Sequence, residues 1–381
     1  MPWTGFITFL LLAGMPWSLF IAAIPALLIA WCAVVVIRSR AESWGLVAQP
    51  REDRFHKHAT PTGGGIAIWL GVLLSFVGLQ LVLQAMRTDG ITVPFLDQHL
   101  GGLLQRSSQL WVLLSAATAM FVLGLMDDLR GLDWRLRIVI QTLIALFVVL
   151  QGWRLTLFIE NPWVPGALSV VWIVGIVNSI NLLDNMDGLA AGVTSIAGLI
   201  LVAVMLLAPN PQSHQPQLFV AGFLIVLIGA IGGFWIHNRP PATIFLGDCG
   251  SYFIGFCLAM ATLMATFAGG DLPQHAVFAP LCVLAVPIYD TVSVITIRLY
   301  QGRSPFEGDK NHFSHRLVQL GMTSRQAVGT IYLLTAACGL GALLLHQVNT
   351  WGAVVILLMV FTVLCVIAML EGVARVGRTN H

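Results

Sequence analysis

Apolar stretches of about the same length alternate with short polar connections along nearly the whole chain. A helix needs about 20 apolar residues to cross the roughly 30 Å hydrocarbon core of a bilayer. We therefore predict about eleven transmembrane helices in an all-α fold. They lie near residues 17–37, 65–84, 110–126, 138–153, 167–183, 189–208, 218–236, 250–268, 277–299, 327–346 and 351–370.

Composition supports a polytopic membrane protein. Hydrophobic residues make up 57% of the 381 residues and charged residues only 9%, whereas soluble domains carry about 25% charged residues. The six cysteines form no CxxC pair and are interpreted as apolar fillers, not as disulfides or zinc ligands. The N-terminus lacks a basic region before its apolar run, which favours an uncleaved first helix. We predict one integral membrane domain covering residues 1–381.

The distribution of positive charge predicts the orientation. An odd number of spans puts the two termini on opposite sides of the membrane. With the N-terminus outside, every Lys and Arg except Arg87, Arg106 and Arg154 lies in or at the edge of a cytoplasmic segment, as the positive-inside rule expects. Those segments are 38–64, 127–137, 184–188, 237–249, 300–326 and the C-terminal tail. The candidate chemistry then faces the cytoplasm.

Two adjacent carboxylates, Asp127 and Asp128, end one predicted span. Neighbouring like charges repel each other, so one of them holds a proton or a cation bridges them. Three arginines follow, at Arg130, Arg135 and Arg137. A solvated loop whose arginines contact lipid headgroups is the alternative interpretation.

A second polar group interrupts the 167–183 span and the turn after it. Asn181, Asp184 and Asp187 are spaced by three, so on a helix they would share a face. Asn185 adds an amide and Gly188 permits a sharp turn. Oxygen ligands of this kind suit Mg²⁺. Helix capping by Asp187 would account for one carboxylate, but not for polar groups inside an apolar run.

Two further segments precede spans. Asp248 lies just before the 250–268 span, where helix N-capping is the simpler explanation. Thr62 precedes a run of three glycines that starts another span. Backbone N–H groups in a glycine-rich turn can hold an anion, although a glycine run also lets helices pack closely.

The loop over residues 298–326 is rich in basic side chains. Arg303, Lys310, His312, His315 and Arg316 crowd one short stretch. Basic groups beside carboxylates would neutralise phosphate oxygens, whereas two histidines could instead bind a transition metal. The surrounding residue types are Asp and Asn, without a nearby cysteine, which favours phosphate.

In this order the five segments resemble the polyprenyl-phosphate N-acetylhexosamine-1-phosphate transferases, over about residues 50–326. The matching stretches are His56–Gly64, Asp127–Leu132, Asn181–Leu189, Phe245–Ser251 and Asp309–Leu317. The pattern is most similar to the undecaprenyl-phosphate GlcNAc-1-phosphate branch. Asn185 replaces a usual glycine and Ser314 a frequent histidine. The run of three histidines usual in the MurNAc-pentapeptide branch is absent.

The resemblance implies a reaction. A HexNAc-1-phosphate, first of all GlcNAc-1-phosphate, would pass from a UDP-sugar to undecaprenyl phosphate, with release of UMP. This would be the first membrane step of cell-envelope polysaccharide synthesis at the bacterial inner membrane. The implied cofactor is Mg²⁺, with Mn²⁺ as a substitute. No nucleic-acid partner is implied, and a homodimer is left open.

The resemblance also implies roles for individual residues. Asp127 and Asp128 would be the catalytic pair, and Asn181 and Asp248 the metal ligands. The substrate-binding residues would be Lys57, Thr62, Asp184, Asp187, Arg303, His312, His315 and Arg316. Our hypothesis is direct attack by the acceptor phosphate with a catalytic Asp as base. A two-step path through an aspartyl-phosphate intermediate is the alternative.

Two other classes fit parts of the pattern. A secondary transporter would also have many spans, but its binding groups lie near the membrane midplane. In this chain Asp290 is the main ionisable residue away from the membrane edge. A CDP-alcohol phosphotransferase would carry an arginine shortly after its Asp-Gly pair. Here Gly188 is followed by Leu189-Ala190-Ala191-Gly192, without that arginine.

Overall fold

The computed structural model describes residues 17–48, 60–89, 100–155, 158–159, 161–208, 215–268, 273–306 and 311–379. Within these ranges the chain is almost entirely helical. The helices are α1 (Trp17–Ile21), α2 (Ala23–Arg40), α3 (Gly64–Asp89), α4 (Leu100–Arg130), α5 (Trp134–Leu150), α6 (Trp163–Leu183), α7 (Leu189–Leu207), α8 (Leu218–Asn238), α9 (Gly247–Met264), α10 (Ala279–Val283), α11 (Ala285–Tyr300), α12 (Phe313–Gln319), α13 (Ser324–Leu345) and α14 (Thr350–Thr379). A 3₁₀ turn, Gln274–Phe278, precedes α10. Strands β1 (Val47–Ala48) and β2 (Thr60–Pro61) pair antiparallel.

The prediction of an all-α polytopic membrane protein is confirmed. Each predicted apolar segment coincides with a helix or a helix pair. Among the described residues, nine helices are long and apolar enough to cross a membrane, and a tenth crossing results if α10 and α11 with the preceding turn count as one. Helix α5 has 17 residues, or about 26 Å at 1.5 Å per residue. The count of eleven therefore stays a prediction.

The predicted span 277–299 is broken. The axis changes by 67° between the Gln274–Val283 segment and α11. Pro287 has no N–H to donate to the carbonyl of Val283, so the helical hydrogen-bond ladder is interrupted at the break. Beyond the bend, α11 carries Asp290, which is fully buried.

Helix α9 is the central helix of the bundle. It packs against α3, α4 and α6, and its residues from Cys249 to Leu263 are all buried. Close approach depends on glycines. A Cβ on Gly65 would lie 2.2 Å from the backbone N of Gly250, and one on Gly124 would lie 2.3 Å from the backbone O of Asp248. The start of α9 is therefore fixed against both α3 and α4.

A smaller apolar cluster lies beneath the polar loops at one end of the bundle. It joins the end of α6, the start of α7, and parts of α11, α12, α13 and α14. Its buried members are Leu183, Met186, Leu189, Val193, Val286, Phe313, Leu317, Ala327, Val328, Ile331 and Ile367. This cluster connects the basic loop and the C-terminal helix to the Asn181–Asp187 segment.

Candidate active site

The two acidic motifs at the ends of α4 and α9 are in direct contact. Asp128 accepts hydrogen bonds from the backbone N of Asp248 at Oδ1 (2.8 Å) and of Cys249 at Oδ2 (3.0 Å). Asp128 thus caps the first turn of α9 from a neighbouring helix. In the described chain the N-cap position of α9 is Leu246, without a side-chain cap. The interpretation of Asp248 as an N-cap is therefore wrong.

Asp127 is held more tightly than Asp128. Its Oδ1 accepts from the backbone N of Leu132 (2.8 Å), and its Oδ2 accepts from Arg137 Nη1 (2.7 Å) and from the hydroxyl of Tyr252 (2.9 Å). Only 5% of Asp127 is exposed, whereas Asp128 is half-buried. Arg137 pairs with this carboxylate, so the alternative of a merely solvated loop does not describe the site.

The predicted metal ligands Asn181 and Asp248 also meet. Asn181 Nδ2 donates to Asp248 Oδ1 (2.6 Å) and to Ser251 Oγ (2.9 Å). With Asp128 alongside, two carboxylate side chains and one amide side chain lie together, and carboxylate and amide oxygens are the ligands that Mg²⁺ prefers. Within the described part of the chain no group of three His, Cys, Asp or Glu residues could hold a metal. The donor set fits Mg²⁺, which keeps several waters and needs only one or two protein carboxylates.

The turn after α6 is fixed to the connection between α8 and α9. Asp187 Oδ2 accepts from the backbone N of Ala242 (2.9 Å), and Gly188 N donates to Asn238 Oδ1 (3.0 Å). Gly188, with φ +75°, is the N-cap residue of α7. Capping by Asp187 is therefore wrong as an explanation. Asp184, half-buried, is the C-cap of α6, where its N donates to the carbonyl of Asn181.

The glycine-rich segment joins α3 to the start of α9. Gly64 N donates to the carbonyl of Phe245 and Gly65 N to that of Leu246, each at 2.9 Å. These two amides thus bond to protein carbonyls, which favours the close-packing interpretation over anion binding. Thr62 N donates to the carbonyl of Leu46 (2.8 Å). Lys57 lies outside the described residues, as does Lys310.

The residues from His312 to His315, called the histidine segment below, contact two other parts of the chain. His312 Nδ1 lies 3.1 Å from Asp290 Oδ2, and the backbone N of Phe313 donates to Asp290 Oδ1 (2.6 Å). The hydroxyl of Ser314 donates to Asn185 Oδ1. The two departures from the family pattern are thus bonded to each other. His315 is half-buried, with its ring centroid 6.3 Å from that of His312.

The two arginines of the loop differ. Arg316 is 3% exposed, with Nη1 donating to the carbonyl of Asn311, Nη2 to Ser293 Oγ (2.8 Å), and Nε 2.9 Å from Glu371 Oε2. Arg303 is half-buried. Nearby, Phe306 stacks on Trp134 with ring centroids 3.7 Å apart. That stacking brings the basic loop beside the loop after Asp128.

Several residues of this network, among them Tyr252, Ser251 and Glu371, were given no role by the sequence. Tyr252 and Ser251 follow Asp248 in the first turns of α9. A polar side chain is common at such positions in any helix, so it gives no indication of function. Glu371 is the clearer omission. It ends the last apolar run of the chain, and an ionisable residue at such a position is a functional candidate by default.

The polytopic helical fold, with carboxylates, amides and basic side chains converging at one bundle end, defines an integral membrane phosphosugar transferase. Residues 110–266 match Glycosyl transferase family 4. The chain is similar to three curated bacterial proteins. It is 29% identical over 363 residues to the probable undecaprenyl-phosphate N-acetylglucosaminyl 1-phosphate transferase of Bacillus subtilis, covering 93% of this chain and 92% of that protein. It is 32% identical over 355 residues to the decaprenyl-phosphate N-acetylglucosaminephosphotransferase of Mycolicibacterium smegmatis, covering 87% and 83%.

The third relative is the undecaprenyl-phosphate alpha-N-acetylglucosaminyl 1-phosphate transferase of Escherichia coli, 27% identical over 343 residues, with 85% and 84% covered. The chain therefore belongs to the polyprenyl-phosphate N-acetylhexosamine-1-phosphate transferases of glycosyl transferase family 4. The family resemblance predicted from the motifs, and with it the enzyme class, is confirmed.

Proposed function

We propose that the protein transfers GlcNAc-1-phosphate from UDP-GlcNAc to undecaprenyl phosphate and releases UMP. The single observation that carries this proposal is the meeting of Asp128, Asn181 and Asp248 at the start of α9. Three separate segments bring two carboxylates and one amide together there, which supports a metal-assisted reaction at a diphosphate. The names of the relatives support the GlcNAc unit and the polyprenyl acceptor.

The proposed compartment is the cytoplasmic face of a bacterial inner membrane, with the N-terminus outside and the C-terminus inside. The basic residues of the segments around the site support this orientation. A site at the end of the helical bundle lets the polyprenyl chain stay in hydrocarbon while its phosphate meets a water-soluble nucleotide sugar.

Asn181 and Asp248 would hold the Mg²⁺ ion. When bound, the ion would neutralise the negative charge that builds up on the diphosphate during transfer. Ser251 supports this pair, because its hydroxyl accepts from Asn181 Nδ2. Asp128 accepts a hydrogen bond from the backbone N of Asp248 and so fixes the position of that residue.

The acceptor phosphate is the nucleophile in this proposal. Its oxygen attacks the phosphorus bonded to the sugar, and the bond from that phosphorus to the UMP oxygen breaks. If the acceptor carries a proton, a carboxylate takes it. An ionised carboxylate has about four acceptor sites. Three donors occupy Asp127 and two occupy Asp128, which supports Asp128 as the base and Asp127 as its neighbour held by Arg137.

Basic side chains on the other side would hold the donor. His312, His315 and Arg303 would contact the diphosphate. Arg316, for which the resemblance implies substrate binding, would instead fix the segment that carries the histidines, because its nitrogens contact Asn311, Ser293 and Glu371. Asp184, Asp187, Thr62 and Lys57 remain proposed substrate-binding residues. The half-buried position of His315 supports its contact with a ligand.

The decisive test is an assay of UMP release. Purified protein with undecaprenyl phosphate is incubated with a panel of UDP-sugars, with Mg²⁺, with Mn²⁺ and with chelator. We expect UMP with UDP-GlcNAc and a divalent cation, and none without the lipid acceptor. UMP release without acceptor would favour the aspartyl-phosphate path. Substrate uptake into proteoliposomes without UMP release would support a transporter instead.

Replacing His315 by alanine should weaken donor binding selectively. We expect the KM for UDP-GlcNAc to rise by about tenfold and the KM for the lipid to stay within about twofold, because the lost contact concerns the nucleotide sugar. His346→Ala is the matched control. His346 follows the last residue of α13, a helix of 22 residues and about 33 Å in length, whereas the histidines precede its first residue. An unchanged donor KM in His315→Ala would contradict the role.

A further inference from the structure

The C-terminal helix reaches the site although it lies beyond every motif of the family. The family match ends at residue 266, and the motif resemblance ends near residue 326. Helix α14 nevertheless contributes Ile367 to the apolar cluster that contains Phe313 and Leu317 of α12. Four residues further on, and so on the same helical face, α14 carries Glu371.

Glu371 is a buried acid with defined partners. It is 7% exposed. Its Oε2 lies 2.9 Å from Arg316 Nε and accepts a hydrogen bond from the hydroxyl of Tyr289 (2.9 Å). Arg316 is itself 3% exposed. A buried charge that loses its partner is strongly destabilised, so the position of the guanidinium depends on this carboxylate.

The guanidinium of Arg316 also bonds to the residue that precedes the histidines. Arg316 Nη1 donates to the carbonyl of Asn311, the residue before His312, and Nη2 donates to Ser293 Oγ on α11. One planar group thus ties α14, α11 and the entry of the histidine segment together. The fixed donor directions of the planar guanidinium restrict Asn311 and Ser293, and the carboxylate of Glu371 is held by its charge, 2.9 Å from Arg316 Nε.

We propose that Glu371 is a positioning residue for the transfer reaction. It fixes Arg316, Arg316 fixes the Asn311 peptide, and this peptide sets His312 and His315 for the donor diphosphate. The inference rests on the proposed function, in which these histidines hold the donor. Glu371 itself does not touch the substrate.

The test separates a positioning role from a merely structural one. Glu371→Gln keeps the shape of the side chain and removes its charge. We expect the KM for UDP-GlcNAc to rise by about tenfold while the KM for the lipid stays within about twofold. A general loss of stability would lower the active fraction and leave both constants unchanged. Hydrogen exchange of the 311–319 backbone should accelerate, and that of α7 should not.

Glu42→Gln is the matched control, because Glu42 is an exposed glutamate in the turn after α2. It should leave both KM values and the exchange unchanged. The double variant Glu371→Gln with Arg316→Gln should show a donor KM within about twofold of that of Arg316→Gln alone, since both residues act through one chain of contacts. If the fold-changes in donor KM of the two single variants multiplied in the double variant, the two residues would act independently and the proposal would be overturned.

The two proposals fail in different ways. Absence of UMP release from the unmodified protein with every UDP-sugar would sink the proposed function, whatever Glu371 does. An active unmodified protein together with unchanged donor KM and exchange in Glu371→Gln would sink the positioning role alone. If Glu371→Gln cannot be isolated folded, Tyr289→Phe takes its place. Loss of that hydroxyl should raise the donor KM by about threefold, and an unchanged value would overturn the proposal.

Discussion

Replacing Asp128 by asparagine is expected to lower the turnover number by about a thousandfold, which is within the usual contribution of a positioned acid or base. The substitution removes the charge beside Asp248. It also removes one of the two oxygens that accept from the backbone of Asp248 and Cys249, so an amide NH₂ then faces a backbone N–H. The turnover number is measured by UMP release at saturating UDP-GlcNAc and lipid.

The matched control for this substitution is Asp133→Asn. Asp133 is likewise a capping carboxylate, accepting from the backbone N of Arg135 (2.9 Å) at the start of α5, but it is exposed. Asparagine caps a helix about as well as aspartate, so Asp133→Asn should change the stability by no more than about 0.5 kcal/mol, and both variants should stay folded. Only Asp128→Asn should lose activity. Near-normal turnover in Asp128→Asn would remove Asp128 from the catalytic pair.

Replacing Gly124 by alanine is expected to cost at least about a hundredfold in turnover, because misplacing a reacting group by about 1 Å can cost that much. The new Cβ would lie 2.3 Å from the backbone O of Asp248 and 2.6 Å from Cys249 Cα. Backbone atoms cannot rotate away, so α4 and α9 must separate at the point that carries Asp248. Overpacking of this kind costs about 1–3 kcal/mol, which thermal unfolding in detergent would register.

Gly102→Ala provides the control on the same helix. A Cβ at Gly102 meets no atom within 4 Å in the described structure, and alanine at a compatible helical position stabilises by about 0.4–1 kcal/mol. The melting temperature and the turnover should therefore be unchanged or slightly raised. If Gly124→Ala and Gly102→Ala had the same turnover and the same melting temperature, the close approach of α4 to α9 would not be required for activity.

The convergence of the motifs could be predicted from the sequence, because each motif flanks an apolar run and alternate ends of such runs share a membrane face. The partners within the cluster could not. Asp128 and Asp248 are 120 residues apart, and local spacing gives no indication that one caps the helix of the other. Arginines are frequent in such loops. The sequence therefore gives no indication that Arg137, and not a neighbouring arginine, pairs with Asp127, and only the fold shows it.

Where the sequence left two interpretations, tertiary contacts decided between them. The glycine run before α3 suited either an anion or close packing. The approach of Gly65 to Gly250 shows that the glycines serve close packing. In the sequence, Asp290 is the main ionisable residue away from the membrane edge, where a transporter would bind its substrate, but in the fold it accepts from the backbone of Phe313 and pairs with His312. It thereby belongs to the histidine segment.

The bond between Ser314 and Asn185 has a practical consequence for anyone who wishes to substitute either residue. Glycine at position 185 alone would leave the hydroxyl of Ser314, only 1% exposed, without its acceptor, at a penalty of about 1–3 kcal/mol. Histidine at position 314 alone would press its ring against the Asn185 amide. Positions 185 and 314 are therefore coupled. A library that varies both together should yield more active enzymes than one that varies them singly.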